Sequence, residues 1–182
     1  MTKPVPALSV AVVEHTAFIK VPGRANFNSS IDFKTLVTQL RERSFETFVL
    51  DLGECVTMDS TFLGVLSGLA LKHADDKQQR KTEEKLSIEL LNPNARITDL
   101  LESLGVSHLF KVRHEECPCT AVFEPVANNR PVPSKGEVSQ ICYEAHDDVI
   151  RINPGNSKKF KDVTQFLLEE VKKCKENGEQ KP

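Results

Sequence analysis

The stretch "VLDLGECVTMDSTFLGVLSGLALKHA", residues 49–74, decides the fold of this chain. It joins an apolar segment, which predicts a strand over residues 45–52, to a second apolar run with helical spacing, which predicts a helix over residues 59–73. Asp59 and Ser60 stand where the first backbone N–H groups of that helix need acceptors, and both are good N-cap residues. The plainest interpretation of this acid and this hydroxyl is that they only cap the helix.

Strands and helices alternate on both sides of this stretch. Two short strands come before the first helix and should pair as an antiparallel hairpin, whereas the later β-α-β connections predict parallel neighbours. Ser29 or Ser30 is the expected N-cap of the first helix. This order predicts one α/β domain with a mixed sheet flanked by helices. The other strands are predicted at residues 8–13, 17–21, 85–91 and 120–126, and the other helices at residues 29–43 and from Asn92 onward.

A linker and a helical hairpin follow the α/β part. Residues 127–133 contain two prolines and no apolar run, which is typical of a linker. Ser134 and Glu137 then fit a capping box, and the motif "NPGN" further on separates two helices that each carry an apolar stripe. We therefore predict an α/β domain at residues 1–126 and a helical hairpin extension at residues 134–182. Its apolar stripes must be buried, and we favour packing on the domain over pairing with a second copy or a partner.

The composition indicates a cytoplasmic protein. The chain has 182 residues, of which 39% are hydrophobic and 27% charged, as in a globular domain. Its formal net charge of −2 gives no support to direct nucleic-acid binding, which usually requires a basic excess. No apolar run reaches the roughly 18 residues that a membrane span needs, so no membrane insertion is expected. The five cysteines are irregularly spaced, which predicts free thiols rather than a disulfide framework.

Residues 49–74 resemble the signature segment of the STAS domain, the anti-sigma factor antagonist family. Members of that family typically show a strand ending in D-L, a few residues, and then M-D-S-S-G-L-G-V-L. Gly23 after the second strand and the segment "LLNPNARITDLLESLGVSHLFKV" agree with the rest of the family framework, so the resemblance covers roughly residues 8–126. Thr61 and Phe62 depart from the pattern, which has serine and often glycine there. The matching positions are Asp51, Leu52, Met58, Asp59, Ser60, Leu63, Gly64, Val65 and Leu66.

The resemblance implies a STAS-like fold and a non-enzymatic switch in bacterial signalling and transcription regulation. Family antagonists bind an anti-sigma factor that is also a serine kinase, and they so free the sigma factor. The kinase then phosphorylates the serine after the motif aspartate, the complex falls apart, and a PP2C-type phosphatase resets the system. Carried over to this chain, the phosphorylated residue is Ser60, with Thr61 as the alternative. No cofactor is implied, and the existence of a homodimer is left open.

The same resemblance implies a partner-binding surface around the start of the second helix. A phosphate on Ser60 would add about −1.5 to −2 charges at the positive end of the helix dipole, where a docked partner would meet it directly. Phe62 leaves two alternatives open, since an aromatic residue here is either an anchor for a partner or part of the core. The expected partner-binding residues are Gly23, Arg24, Asn26, Asp59, Ser60, Thr61, Phe62 and Leu63.

Other functions find less support in the sequence. A STAS module that serves as a constitutive adaptor subunit of a transporter or a signalling scaffold is the main alternative, and Phe62 and the added hairpin slightly favour it. His114, Cys117 and Cys119 in "HEECPC" form an incomplete zinc ligand set, so no metal is expected. An enzyme is not expected, because no nucleophile motif stands beside the scattered histidines, which we predict to be surface or packing residues. These histidines are His15, His73, His108 and His146.

Overall fold

The elements of the fold follow the predicted alternation of strands and helices. The computed structural model describes residues 8–79, 87–126 and 132–178. The predicted linker lies largely outside these ranges, so the division of the chain at residues 127–133 stays a prediction. Within the described ranges, no helix is both long enough and apolar enough to cross a membrane. The elements are β1 (Ser9–Val13), β2 (Thr16–Lys20), β3 (Gly23–Ala25), α1 (Phe27–Glu42), β4 (Thr47–Asp51), β5 (Cys55–Met58), α2 (Ser60–Gln79), β6 (Ser87–Leu91), α3 (Ala95–Ser103), β7 (Lys111–Arg113), β8 (Glu124–Pro125), α4 (Lys135–Ile152) and α5 (Ser157–Gly178).

The strands form a mixed sheet, which confirms the predicted α/β fold class. Six of them pair in the order β7-β6-β4-β2-β1-β8. The hairpin of β1 and β2 is antiparallel, and β2–β4, β4–β6 and β6–β7 are parallel pairs, as the β-α-β connections predicted. β8 lies at the edge of the sheet, as predicted, although it is only two residues long. The sequence did not predict β7 or the separate parallel pair of β3 and β5, because three or four residues show too little periodicity.

The two faces of the six-stranded sheet are covered differently. Alternate residues of a strand point to opposite faces, and on one face Ile19, Leu50 and Leu90 pack with apolar side chains of the helices in the main core. The other face is covered by part of the segment between β7 and β8. There, Phe18, Val49 and Leu91 pack against Cys117, Cys119 and Phe123.

The first helix begins earlier than the sequence indicated. α1 starts at Phe27, and its N-cap is Asn26, whose side-chain oxygen accepts hydrogen bonds from the backbone N–H groups of Asn28 and Ser29. The Ser29 hydroxyl accepts a hydrogen bond from the Asn26 N–H and so completes a capping box. The prediction of Ser29 or Ser30 as the cap was therefore wrong. Asn caps a helix as well as Ser does, so residue type alone could not identify the earlier position.

The C-terminal residues form the predicted helical hairpin. The capping box of Ser134 and Glu137 opens α4, as predicted. α4 packs along α2 and contributes Ala145 and Val149 to the main core. The hairpin therefore packs on the α/β part of this chain, which was the favoured alternative.

The turn between α4 and α5 closes the C-terminal end of α3. Asn156 is buried, and its Nδ2 donates hydrogen bonds to the Leu104 carbonyl at 2.8 Å and to a carbonyl of α4 at 3.2 Å. Asn153 Nδ2 also donates to the Leu104 carbonyl, at 3.2 Å, and Lys159 Nζ donates to the Ser103 carbonyl at 2.6 Å. These donors satisfy carbonyl groups that the end of a helix leaves without partners. The hairpin is thus fixed both along α2 and at the end of α3.

Candidate functional site at the start of α2

Asp59 holds the start of α2 and the start of α1 together. Its backbone N–H donates to the Ala25 carbonyl at 2.9 Å, beside the β3–β5 pair. Its Oδ1 accepts a hydrogen bond from the Phe62 N–H at 2.8 Å, in the manner of an N-cap, and its backbone carbonyl accepts from the Leu63 N–H at 3.1 Å. Its Oδ2 accepts from the Phe27 N–H at 3.0 Å. One carboxylate therefore meets the positive ends of two helix dipoles.

Ser60 is the first residue of α2, and its hydroxyl is bonded to α4. Ser60 Oγ lies 3.0 Å from His146 Nε2, and His146 Nδ1 lies 2.7 Å from the Cys142 carbonyl oxygen. A carbonyl can only accept a hydrogen bond, so Nδ1 carries a proton, and in the neutral ring Nε2 accepts the bond from the Ser60 hydroxyl. His146 is 5% exposed, and its ring meets the Phe160 ring edge-on at 4.9 Å. The predicted phosphorylation site is therefore in direct contact with a buried histidine of the hairpin.

Thr61, the alternative modification site, also faces α4. It is 7% exposed, and its hydroxyl forms a hydrogen bond with the Cys142 thiol. Burial raises the pKa of that thiol above its ordinary value, and the hydrogen bond with Thr61 opposes the increase only in part. Cys142 and His146 are four residues apart and so lie on one face of α4. A single turn of α4 therefore covers both hydroxyls.

Phe62 and Leu63 are core residues. Both are 0% exposed, and the Phe62 ring packs against the Phe33 ring of α1 at a centroid distance of 5.3 Å. This decides between the two alternatives for Phe62, because a fully buried ring does not present itself to a partner. Together with the buried Thr61, three of the eight expected partner-binding side chains are therefore buried, and Phe62 and Leu63 hold α2 on the core.

Three of the expected partner-binding residues, Gly23, Arg24 and Asn26, lie in or beside β3, on the side of Asp59 that faces α1. Gly23 has a φ of 70°, a backbone conformation that favours glycine at this turn, and Arg24 is exposed. Asn26 is engaged as the cap of α1. Phe27, which the sequence did not single out, is 39% exposed, and its N–H is the group bonded to Asp59. Arg24 and Phe27 therefore form an exposed side of the site; the sequence indicated Arg24, and the exposure of Phe27 adds the second residue.

Two glycines let α4 approach α2 closely. Ser60, Gly64 and Gly68 recur every four residues and so share one face of α2. A Cβ atom at Gly64 would overlap the backbone carbonyl of Ala145, and one at Gly68 would overlap the carboxylate of Asp148. The spacing of these glycines in an apolar helix is the sequence signal that could have predicted a close helix neighbour on this face.

The histidine and cysteine cluster of the sequence does not come together as a site. Cys117 and Cys119 are half-buried against the second face of the sheet, and burial raises the pKa of the Cys117 thiol. His114 is exposed in the same segment. Across residues 8–79, 87–126 and 132–178, no three side chains of His, Cys, Asp or Glu are grouped so that they could hold a metal ion.

The Ser60–His146 pair has the hydrogen-bond distance of a nucleophile and its general base. In such sites the second ring nitrogen is usually oriented by a third group, often a carboxylate. Here the second nitrogen donates to the backbone carbonyl of Cys142, within α4 itself. The imidazole is enclosed and packs on Phe160. The prediction of His146 as a surface or packing residue missed its contact with Ser60, because the two residues are 86 positions apart.

Comparisons with known proteins give likenesses of structure but not of sequence. No protein-family model matches the chain, and no curated protein does. The anti-sigma factor antagonist SpoIIAA in its unphosphorylated form is similar over 60% of this chain and 90% of its own, at 16% identity and a TM-score of 0.48. The phosphorylated form of SpoIIAA, a Bacillus cell fate determinant, is similar over 60% of this chain and 94% of its own, at 16% identity and a TM-score of 0.47. A Thermotoga maritima protein described as an anti-sigma factor antagonist is similar over 57% and 82%, at 16% identity and a TM-score of 0.48.

Proposed function

We propose that this protein is a cytoplasmic, non-enzymatic regulator of the anti-sigma factor antagonist kind, which binds an anti-sigma factor that is also a serine kinase. Phosphorylation of Ser60 controls that binding. The observation that carries the proposal is the position of Ser60, which follows the N-cap Asp59 at the start of α2 in a segment that resembles the STAS signature. The five cysteines are free thiols, which agrees with a reducing compartment.

The start of α2 can carry a phosphate without loss of the helix. α2 runs for 20 residues from Ser60, and its first turn is the positive end of the helix dipole. The kinase transfers the γ-phosphoryl group of ATP to Ser60 Oγ: an O–P bond replaces the O–H bond, ADP leaves, and the hydroxyl proton is released. Asp59 directs its oxygens to backbone N–H groups, so the cap persists while about −1.5 to −2 charges are added beside it.

A partner that contacts the exposed residues beside this site would meet the added charge. Arg24 is exposed and Phe27 is 39% exposed, and arginine and aromatic side chains are enriched among residues that dominate binding at protein interfaces. The N–H of Phe27 is bonded to Asp59, the neighbour of Ser60. A partner that contacts Phe27 at the start of α1 would therefore lie close to a phosphate at the start of α2. If that partner carried acidic groups there, the phosphate would repel it.

The first test captures partners from a native lysate with the wild type, Ser60→Ala, Ser60→Asp and Thr61→Ala, and identifies them by mass spectrometry. The second test measures whether the captured protein transfers phosphate from radiolabelled ATP to each variant. We expect the captured protein to be an anti-sigma factor with serine-kinase activity that labels the wild type and Thr61→Ala, but not Ser60→Ala. A PP2C-type phosphatase should remove the label. Equal labelling of Ser60→Ala would refute the assigned site, and undiminished binding of Ser60→Asp would refute the switch.

One observation favours a second candidate, a constitutive adaptor subunit of a transporter or a signalling scaffold. The hydroxyls of Ser60 and Thr61 are both engaged by α4, and a constitutive subunit has no need for either to be accessible. Such a subunit would co-purify with its partner whatever the charge at position 60. Capture of the same transporter or scaffold protein in equal amounts by the wild type and Ser60→Asp would therefore select this candidate.

A further inference from the structure

α4 lies on the hydroxyl that a kinase must reach. Ser60 donates its hydroxyl hydrogen to His146 at 3.0 Å, and the neighbouring Thr61 is bonded to Cys142. Phosphoryl transfer requires the accepting oxygen to line up with the γ-phosphate and with a base that takes its proton. In this structure His146 occupies the space directly beside that oxygen, so a kinase and α4 cannot contact Ser60 Oγ in the same way at the same time.

We infer that the α4–α5 hairpin is an intramolecular occupant of the α2 face that carries Ser60, and that docked α4 and a phosphate on Ser60 exclude each other. The inference rests on the proposed function, since it concerns the regulation of the same serine. According to this inference, a phosphate on Ser60 first displaces the hairpin of the same chain, before it affects a bound partner.

The two helices pack closely next to the Ser60 hydroxyl, which is itself partly exposed. Gly64 lies one turn below Ser60, and even a single methyl group there would overlap the carbonyl of Ala145. A phosphate adds a phosphorus atom and three oxygens at a position one turn away, against an imidazole that is already enclosed by Phe160. Packed interiors do not absorb such a volume by small shifts. A phosphate that stays on the side of Ser60 Oγ where His146 lies at 3.0 Å therefore displaces α4 from the start of α2.

The hydrogen bond that joins the two helices is lost on phosphorylation. Ser60 is the donor of this bond because His146 Nδ1 holds the ring proton against the Cys142 carbonyl. The ester oxygen of phosphoserine has no hydrogen, so the lone pair of Nε2 would face acceptor oxygens and negative charge. After burial, the negative charge of Asp59 also raises the pKa of the Cys142 thiol, so this turn of α4 already lies in a negative potential. Phosphorylation therefore removes the hydrogen bond that Ser60 donates to α4 and places negative charge between the two helices.

Mutual exclusion has a thermodynamic consequence in both directions. If phosphate on Ser60 weakens the docking of α4, docked α4 must oppose phosphorylation of Ser60 by the same free energy. Coupling between two sites in one protein commonly changes an equilibrium about 5- to 150-fold. A partner that competes with α4 for the same face of α2 is subject to the same linkage. The hairpin then sets the threshold at which the switch responds.

Cys142 reports the docking of α4 without any partner. Its thiol is half-buried against Thr61, and burial raises its pKa, so it should react slowly with N-ethylmaleimide while α4 is docked. We would install phosphoserine genetically at position 60 and, as a matched control, at Thr38, which is exposed on α1. Alkylation of each cysteine would then be followed by peptide mass spectrometry.

We expect Ser60→phosphoserine to accelerate alkylation of Cys142 about 10-fold or more, within the usual range of coupling, and Thr38→phosphoserine to leave the rate within about 2-fold of wild type. An unchanged rate for Ser60→phosphoserine would overturn the inference, whatever the protein binds. Equal acceleration by both variants would also overturn it, because the effect would then follow from added charge and not from the Ser60–His146 contact.

A second experiment separates failure of the inference from failure of the proposed function. His146→Phe keeps an aromatic ring against Phe160 but removes the acceptor for Ser60, whereas His15→Phe makes the same replacement at an exposed turn. With the kinase captured by the wild type, we expect faster labelling of Ser60 in His146→Phe than in the wild type or in His15→Phe. Equal rates would refute the inference alone. Absence of Ser60 labelling in every variant would refute the proposed function, while the alkylation result would still decide the inference.

Discussion

The Oδ2 atom of Asp59 accepts a hydrogen bond from the backbone N–H of Phe27 at 3.0 Å, although the two residues are 32 positions apart in the chain. The other oxygen caps α2 through the Phe62 N–H. Asp59→Ala removes both bonds, and a lost cap costs about 1 kcal/mol while a bond to a charged group contributes about 1.5–3 kcal/mol. We expect a decrease of about 2.5–4 kcal/mol in the free energy of unfolding, measured by urea denaturation.

Asp59→Asn is the matched control for this prediction. Asparagine is also a good N-cap, but it offers only one oxygen, so it can satisfy one of the two N–H groups. We expect it to lose about 1 kcal/mol, clearly less than alanine. If asparagine and alanine were equally harmful, the hydrogen bonds would not be the source of the stabilisation.

Gly64→Ala tests the close packing of α2 on α4. Alanine is favoured over glycine within a helix by about 1 kcal/mol, so the intrinsic effect of this change is stabilising. The new methyl group would, however, overlap the backbone carbonyl of Ala145, and overpacking typically costs about 1–3 kcal/mol. Because a backbone carbonyl cannot turn aside as a flexible side chain can, we expect the clash to prevail and the melting temperature to fall.

A control for Gly64→Ala is Thr38→Ala on the exposed side of α1, which should change the free energy of unfolding by no more than about 0.5 kcal/mol. A stabilised Gly64→Ala protein would mean that α4 is not seated on α2 in solution. The comparison therefore measures the helix contact and not the general effect of alanine in a helix.

The protonation of His146 is fixed by its neighbour in α4. Since Nδ1 faces the Cys142 carbonyl at 2.7 Å, we expect long-range proton–nitrogen NMR spectra to show the Nδ1–H tautomer of the neutral His146 ring. Ser60→Ala should keep this tautomer, because the carbonyl partner remains, and should shift the Nε2 resonance, because its donor is lost. An Nε2–H tautomer in the wild type would contradict the direction assigned to the Ser60–His146 bond.

Asn156→Ala should weaken the attachment of the hairpin. The Asn156 amide is buried and donates to carbonyl groups of Leu104 and Val149, so its removal leaves buried acceptors without one of their partners. Such a loss costs about 1–3 kcal/mol for each unsatisfied group. We expect a lower unfolding free energy and faster amide hydrogen exchange in α4 and α5, with smaller changes in the central strands.

Glu89 should make the protein sensitive to acid. The hydrogen bond from Arg113, with a further contribution from Lys111, holds the pKa of the Glu89 carboxyl below its ordinary value. The folded protein therefore binds this proton less readily than the unfolded chain does. The stabilisation is complete above the pKa of an unfolded Glu, about 4.3, and is lost as the pH falls through the lowered pKa of the folded state.

The measurement for Glu89 is the difference in unfolding free energy between the wild type and Glu89→Gln from pH 7 to pH 3. We expect the wild type to be the more stable at pH 7 and the difference to shrink below about pH 4. A difference that stays constant over this range would show that the pair with Arg113 adds nothing to the acid sensitivity.

Local signals in the sequence were sufficient for the parts of the fold that depend on neighbouring residues. Ser134 and Glu137 stand three residues apart, and the structure confirms their capping box and the helix that follows. The "NPGN" turn is confirmed for the same reason, since it is a local break between two periodic segments. Asn26 shows the limit of this reasoning, because several residues near the start of α1 could have capped it equally well.

The most informative contact of the candidate site was not predictable from local signals. Ser60 and His146 are 86 positions apart, and the sequence around each residue contains no signal that predicts contact with the other. Burial decided the alternatives for Phe62 in the same way, because an apolar residue on an amphipathic helix faces the core or a partner with equal sequence support. The spacing of Gly64 and Gly68 was the strongest sequence signal that another helix packs closely on α2.

The residues that cover Ser60 are synthesised after Ser60 itself, so Ser60 is covered only late in synthesis. The carbonyl groups at the end of α3 are satisfied by Asn153, Asn156 and Lys159, which follow them by 49 to 56 positions in the chain. A chain that folds as it leaves the ribosome can form its sheet and α2 before these residues have emerged. Until then His146 is not available either, and the Ser60 hydroxyl is open to water and to enzymes. A newly made molecule that folds in this order therefore passes through a brief stage in which this serine is accessible.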